Sequence, residues 1–412
     1  MRLKYTFRTA ISGLKTHKSR SALTILGIVV GITAIILIMS VGQGAQDLII
    51  GQIQGLGSKT IAVIPGREPT GPTDVAQIFA DSLKERDLEL LNRKENVPYA
   101  KEIMPVVFGG ETASYGSETY RPTVFGSSDL IAKMFDIFPE KGTFFTDEEI
   151  KSRAGVVVIG AKVKEELFGA SEAIGEKIRI KNQNLRVIGV LPKKGQVSFF
   201  NFDEMVIIPY TTAQEYVFGI KHFHRFIVEA NSEEFIDRTV RDIEITLRNA
   251  HGVTDTSKDD FFVQTSADLT ERLGSITDIL TLFLISIAAI SLVVGGIGIM
   301  NIMLVSVTER TKEIGLRKAI GATGEDILKQ FLFEAVILTG AGGLIGVSLG
   351  GIFSFIVSMI LSRIVGLEWA FSLPISAVIL GIGVSAAIGL VFGIYPARQA
   401  SQKSPIEALR YE

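Results

Sequence analysis

The stretch ILTLFLISIAAISLVVGGIGIMNIMLVSVTERTKEIGLRKAIGATGEDIL, Ile279 to Leu328, joins two opposite kinds of chain. Up to Val307 it carries no charged residue. A bilayer core of roughly 30 Å needs about 20 apolar residues in helix, so this run is long enough to span a membrane and project beyond it. From Thr308 the chain becomes densely charged while keeping a helical period. On a helix, Glu313 and Arg317 form an i,i+4 pair in the favourable order. Leu316, Ala319 and Ile320 make a short apolar patch, after which Gly321 and Gly324 break the pattern. Thr323 with Asp326 suits the cap of a new helix, EDILKQFLFEA. The reading is a membrane helix, a stiff elbow, and a second helix climbing back. Mixed charge on such an elbow suits docking of a soluble partner.

Three further apolar runs without a charge lie on either side: Ser21–Val41, Ala335–Leu361 and Leu373–Pro396. A charge at mid-bilayer costs at least about 2.5–3.5 kcal/mol, so uncharged runs of this length point to four spans. The first run follows basic residues as a signal peptide would, but its apolar core is too long and MSVGQGAQD offers no A-x-A cleavage site. It is expected to remain as an anchor. Arg2, Lys4, Arg8, Lys15, Lys18 and Arg20 precede it with no acid among them. The positive-inside rule then places both termini and the elbow in the cytoplasm of a multi-pass protein of the cell (inner, cytoplasmic) membrane.

The whole chain has 412 residues, a formal charge of −2 and no cysteine. That length favours more than one compact unit. Near-neutral charge gives no sign of nucleic-acid binding, and the lack of Cys excludes disulfides and thiolate metal sites. The expected fold class is therefore a membrane protein with four transmembrane α-helices and a large two-lobed α/β extracytoplasmic domain between spans 1 and 2. In residues 1–20, Leu3, Phe7, Ile11 and Leu14 recur at helical steps, the pattern of an amphipathic helix on the inner bilayer surface. Residues 42–275 alternate strand and helix signals. KTIAVIPG, GVVVIG, EMVIIPY, HRFIVEA and DFFVQT read as strands. SLKERDLELLNRK, AKVKEELFG and SEEFIDRTVRDIEITLRNA read as helices, and KIRIKNQNLRVIGVL reads as a hairpin turning at Lys181–Asn184. We expect a membrane-proximal lobe from residues 42–119 and 222–275 and an inserted lobe from 120–221. The second span then covers 276–307, the elbow 308–334, the third and fourth spans 335–361 and 373–396, and a tail 397–412.

Chemistry-bearing motifs are sparse. GQIQGLGSKT, Gly51 to Thr60, approaches a phosphate-cradling loop but has the wrong spacing before its Lys. His222 and His224 form an H-x-H without an apparent third ligand and read as a surface strand pair. Asp147, Glu148 and Glu149 suit a helix start. The spans carry no paired ions of the kind a secondary transporter uses.

NIMLVSVTERTKEIGLRKAIGATGEDIL resembles the segment after the second span in the MacB/FtsX-like family of ABC-transporter permeases, and GIYPARQASQKSPIEALRYE resembles that family's C-terminus. KGTFFTDEEI, VVVIGAKVKEELFG and IGEKIRIKNQNLRVIGVL are similar to its outer core domain, and SRSALTILGIVVGI to its first span. The resemblance covers most of the chain, most weakly between Gly66 and Phe138. It implies a homodimeric, non-catalytic permease that couples ATP binding and hydrolysis by a cytoplasmic ABC ATPase to movement of the outer domain, a process called mechanotransmission. The cargo implied is peptides, antibiotics or other amphiphiles. ATP–Mg is expected on the ATPase and no cofactor on this chain. The exporter that names the family carries its ATPase ahead of the first span. Here about 20 residues precede that span, so the expectation is a separate ATPase polypeptide, with a membrane-fusion-like adaptor as a further partner. Matched residue by residue, the coupling positions implied are Glu309, Arg310, Lys312, Glu313, Gly315, Arg317, Lys318, Gly321 and Ala322, with Glu334 beside them. The small-xxx-small pair Gly27 and Gly31 is implied as a dimer contact. A lipoprotein-releasing permease and a regulator of cell-wall hydrolases are the alternatives within the family. A membrane-anchored receptor without an ATPase is the alternative from another class.

Overall fold

The computed structural model describes residues 18–55, 57–69, 80–197, 200–365 and 369–410. The amphipathic helix expected over residues 1–20 lies, up to residue 17, outside the described residues. In chain order the long helix α1 (Lys18–Gln54) leads to strand β1 (Thr60–Pro65) and helix α2 (Glu85–Asn92). Strands β2 (Ala100–Gly110), β3 (Ala113–Tyr115), β4 (Glu118–Tyr120) and β5 (Thr123–Ser127) precede the short helix α3 (Leu130–Met134). Next come β6 (Lys141–Gly142), α4 (Asp147–Lys151), β7 (Val156–Ile159) and α5 (Ala161–Phe168). Strands β8 (Lys177–Ile180), β9 (Gln183–Val190), β10 (Gln196–Val197), β11 (Phe200–Asn201), β12 (Met205–Pro209) and β13 (Arg225–Ala230) lead to α6 (Ile236–His251) and β14 (Phe261–Thr265). The remainder is helical: α7 (Ser266–Glu309), α8 (Thr311–Ala319), α9 (Gly324–Val365), α10 (Ile375–Gln402) and α11 (Pro405–Arg410).

These elements form two compact units, Met1–Leu48 with Leu273–Glu412, and Ile49–Arg272. Among the described residues, four helices are long and apolar enough to cross a membrane: Ile25–Ile53, Ser266–Glu309, Gly324–Ile364 and Ile375–Gln402. They run past the expected span ends because the flanks, such as DLIIGQIQ after span one, keep apolar residues at helical steps. Their mutual contacts are built from small residues, as apolar solvent demands. Lipid tails are as apolar as Leu, so helices gain by packing backbones closely rather than by hiding Leu. Gly346 and Gly350 of α9 lie against Ile32 and Ile36 of α1, where an added Cβ would sit 2.8 Å and 2.6 Å from their side chains. Gly393 of α10 meets Ala335 of α9 in the same way. Thr33 donates to the carbonyl of Gly346 at 3.1 Å, joining α1 to α9 across the apolar contact. Ile28, Ile32, Ile36, Leu292, Ile299 and Phe331 fill the centre, while Ile279, Leu282, Ile290 and Val294 of α7 stay exposed.

The second unit is a mixed α/β domain whose strands pair in the order β14-β1-β13-β2-β5-β12-β7-β9-β8-β3-β4, with β6 on β9. β12 is parallel to β5, and β7 to β9; the other neighbours are antiparallel. Successive residues of a strand point to opposite faces, and here both faces are covered. Val157, Ile159, Val206 and Ile208 enter one core, and Val156, Val158, Met205 and Ile207 the other. This is why VVVI and MVII read as continuous apolar runs rather than alternating ones. The strand that joins the two groups of strands is β2. Its residues up to Val106 pair with β13, and from Val107 onward they pair with β5. β3 and β4, expected in the first lobe, lie at the far edge beside β8. Strand order depends on pairings distant in sequence, which local patterns do not encode. On α6, Thr239, Ile243 and Leu247 are buried at four-residue steps, the stripe of a helix lying on a sheet. Asp147–Glu149 do open a helix, with Glu149 returning to the backbone N–H of Thr146 at 2.9 Å. Phe226 is fully buried and packs 5.1 Å from Phe223. Phe226→Ala is expected to destabilise this unit by about 3–5 kcal/mol, read as a lowered urea midpoint in pulse proteolysis of the full chain.

Candidate functional site at the elbow

The elbow is continuous with the helix before it. Arg310 N–H donates to Ser306 O at 3.1 Å, and Arg310 O accepts from Ile314 N–H at 3.0 Å. The hydrogen-bond ladder of α7, which ends at Glu309, is therefore handed directly to α8. Thr311 is buried in the bend, and its hydroxyl reaches Val307 O at 3.0 Å and Thr308 O at 2.8 Å. Gly321, at φ +110°, ends α8 in a conformation that L side chains rarely adopt. The N–H of Ala322 returns to Arg317 O at 3.0 Å. Thr323 and Asp326 form the expected reciprocal cap of α9, with Thr323 N–H on Asp326 Oδ2 at 3.0 Å and Asp326 N–H on Thr323 Oγ1 at 3.1 Å. Gly324 does not break a helix; it begins α9.

One edge of α8 is tied to α9 by two polar contacts. Arg310 Nη1 donates to both carboxylate oxygens of Glu334, at 3.2 and 3.4 Å. The Glu334 side chain is only 5% exposed and that of Arg310 18%, so the pair is largely desolvated. About two turns further along α8 and one turn back along α9, Arg317 bridges Glu313 Oε1 at 2.5 Å and the buried Gln330 at 3.0 Å. Glu334 is thus satisfied by an arginine.

A second brace comes from the C-terminal end of the chain, which the sequence reading did not connect to this site. Lys318 Nζ donates to Ser401 O at 2.6 Å and Lys403 O at 2.8 Å, the carbonyls around the end of α10. Orphan carbonyls at a helix C-terminus attract a cation in this way. Gly315 faces α11 so closely that a Cβ would lie 2.6 Å from Ala408 Cβ. The signal for α11 was present in SPIEALR, with Pro at the first helical position and Glu two residues later, but its docking partner is about 90 residues away.

With Thr311, Ile314 and Gly315 buried, the opposite face of α8 presents Lys312, Glu313, Leu316, Ala319 and Ile320. Leu316 is 56% exposed and Ile320 79%. Glu309 continues this face at the end of α7. A charged stripe with large apolar residues is thus held out on a tightly braced helix.

Gly27 and Gly31, implied as a dimer contact, have close neighbours within the chain. A Cβ on Gly27 would lie 3.0 Å from Gly295 Cα, and one on Gly31 2.6 Å from the Leu292 side chain. The small pair lets α1 approach α7. The H-x-H is not a surface pair. His224 is half-buried, its Nδ1 accepts from Phe108 N–H at 3.0 Å, and burial pushes its pKa down to about 4.

Residues 21–245 match the MacB-like periplasmic core domain, and residues 285–405 the FtsX-like permease C-terminal domain. A macrolide export ATP-binding/permease protein MacB of Bdellovibrio bacteriovorus is 40% identical over 400 residues, covering 97% of this chain and 60% of that protein. Its namesake in Chlorobium luteolum is 37% identical over 403 residues, covering 98% and 59%. The chain therefore spans about 60% of the length of these relatives. Among solved structures, the periplasmic region of MacB from Actinobacillus actinomycetemcomitans aligns with a TM-score of 0.46 at 19% identity, over 55% of this chain and 97% of that one.

Proposed function

Since this chain belongs to the MacB/FtsX-like family of ABC-transporter permeases, we propose that it is the transmembrane subunit that receives the stroke of a cytoplasmic ABC ATPase on α8 and passes it to the α/β unit. Its place is the cytoplasmic membrane, with the termini and elbow inside and the α/β unit outside. The observation that carries this reading is the braced α8 with its outward stripe of Lys312, Glu313, Leu316 and Ile320. Arg310, Glu334, Arg317 and Lys318 hold that helix against α9 and the end of α10, so force on the stripe cannot be lost in local bending. Gly315, Gly321 and Ala322 allow the close packing and the turn that this bracing needs. Helix α7 adds support: 44 residues without a proline make a rod of about 66 Å at 1.5 Å per residue.

In this mechanism Mg-ATP binds and is hydrolysed on the ATPase, and this chain contributes no catalytic group. Closure of the ATPase pair brings the elbows of two permease copies together, and α7 carries the displacement to the α/β unit, where an amphiphilic cargo is handled with an adaptor protein. The relatives are named for macrolide export; for this chain we propose export of peptides, antibiotics or similar amphiphiles. The test is co-purification from membranes of an ABC ATPase co-expressed with this chain. Leu316→Asp combined with Ile320→Asp removes the apolar contacts without touching the braces. The expected result is a loss of ATPase recovery by at least about tenfold, equivalent to roughly 1.4 kcal/mol of binding, with permease expression unchanged. Full recovery with the double variant would remove the stripe from the interface.

A further inference from the structure

His251 closes α6 and has both ring nitrogens engaged by carboxylates from other segments. Nε2 lies 3.2 Å from Asp87 Oδ2 on α2, and Nδ1 lies 2.7 Å from Asp260 Oδ1 at the approach to β14. The side chains of His251 and Asp87 are 7% and 1% exposed. A neutral imidazole has one N–H and one lone pair, so it can donate to only one of these carboxylates. The other would then face a lone pair: the half-exposed Asp260 if Nε2 holds the proton, the buried Asp87 if Nδ1 does. Only the imidazolium satisfies both.

The surroundings show what this cation holds together. Asp87 Oδ2 also accepts the N–H of Lys84 at 2.8 Å, fixing the start of α2. The backbone carbonyl of Asp260 accepts from Ser82 Oγ and from Gly66 N–H, both at 2.6 Å, which brings in the segments after β1 and before α2. The ring of Phe261, first residue of β14, stands edge-on 5.8 Å away. The other charged groups nearby are Arg86 on α2 and Arg248 on α6. Arg86 lies 3.7 Å from Asp87 and donates to Ala250 O at 2.5 Å. Arg248 is committed to Asp259 at 2.8 Å and Glu244 at 3.3 Å.

We propose that His251 is a pH-operated latch: its imidazolium ties α2, the end of α6 and the approach to β14 into one piece, and loss of its proton releases them. β14 is the strand that precedes α7 in the chain, so the latch acts at the last segment before the second span. The sign follows from the two partners. The hydrogen bond to Asp87 is the main influence raising the pKa of His251, with Asp260 adding to it against the cost of burial. Its contribution is therefore complete below the ordinary histidine range and is lost as pH rises through the raised value. For Asp87, burial alone would raise the pKa, but the His251 and Lys84 hydrogen bonds and the charges of His251 and Arg86 outweigh it and leave it lowered. Its contribution is present above the ordinary carboxylate range and is lost only as pH falls through that lowered value. The latch is closed in weak acid and opens toward alkaline pH.

The test is hydrogen–deuterium exchange of the full chain in detergent micelles at about pH 6 and about pH 8.5, on either side of the ordinary histidine range and corrected for intrinsic exchange rates. In the wild type, protection of residues 84–92 and 247–262 is expected to fall several-fold between the two, with the α5 region unchanged. In His251→Gln the same segments should show the lower protection at both values. Asp260→Asn, at a half-exposed position that leaves the buried Asp87 pair intact, should reduce the pH response; this variant decides the matter if His251→Gln does not fold. A wild type with no pH response in these segments, or either variant with an undiminished one, would overturn the latch.

Discussion

Arg310→Ala is expected to destabilise the helical unit by roughly 3–5 kcal/mol, more than any other single change at the elbow. The reason lies in what is left behind. Glu334 is buried on α9 and Arg310 is its only described cationic partner within bonding distance. Removing the guanidinium strands a desolvated carboxylate, whereas the net worth of the intact pair over an apolar one is small or even negative. Two consequences follow. Glu334→Ala alone should also be costly, because it strands Arg310. The combined change Arg310→Met with Glu334→Leu should recover most of the loss, since it replaces the pair by matched apolar groups. Thermal inactivation of the purified chain, measured for both single variants and the double, checks this. If the double variant is as unstable as the sum of the singles, the pair is not acting as one buried unit.

The second large effect is expected at the crossing of α1 and α7. Gly27→Leu should cost about 1–3 kcal/mol through overpacking, since the new side chain meets backbone, at Gly295 Cα, rather than the yielding end of a side chain. Gly27→Ala should show the same direction at smaller size. Gly383→Ala on α10, where no atom lies within 4 Å of the added methyl, should be neutral or mildly stabilising. Size-exclusion chromatography with light scattering, run beside thermal unfolding, distinguishes two roles for the glycine. Packing within the chain lowers stability and leaves the oligomeric state unchanged; a contact between copies would shift the oligomeric state first.

The four spans were legible because membrane solvent imposes a crude rule, about 20 residues without charge, that single-residue detail cannot blur. The elbow was legible for another reason. Glu313 with Arg317 and Thr323 with Asp326 are local pairs, three or four residues apart, and local geometry alone places them. What joins α8 to the rest was hidden. Arg310 and Glu334 are 24 residues apart, and Lys318 meets carbonyls 83 and 85 positions on. Such partners are set by the way helices cross, which no periodicity records. The same limit explains Gly27 and Gly31: two small residues one turn apart announce a close approach but not who approaches. In the α/β unit the buried strands were readable from VVVI and MVII. The order that puts β3 and β4 beside β8 was not, since pairing order is a property of the whole sheet.

The most direct test of the central claim uses the absence of cysteine in the chain. Single cysteines at Leu316 and Ile320 on the exposed stripe, at Ile314 on the buried face, and at Ile279 and Ile364 on other exposed apolar surfaces would each be the only thiol. A short thiol-to-amine cross-linker is then applied to membranes containing the co-expressed ATPase. The account predicts ATPase adducts at Leu316→Cys and Ile320→Cys, with an ATP-dependent yield, and none at the other three. Adducts absent from the stripe, or formed equally at Ile279→Cys, would contradict the assignment of α8 as the surface that takes the stroke.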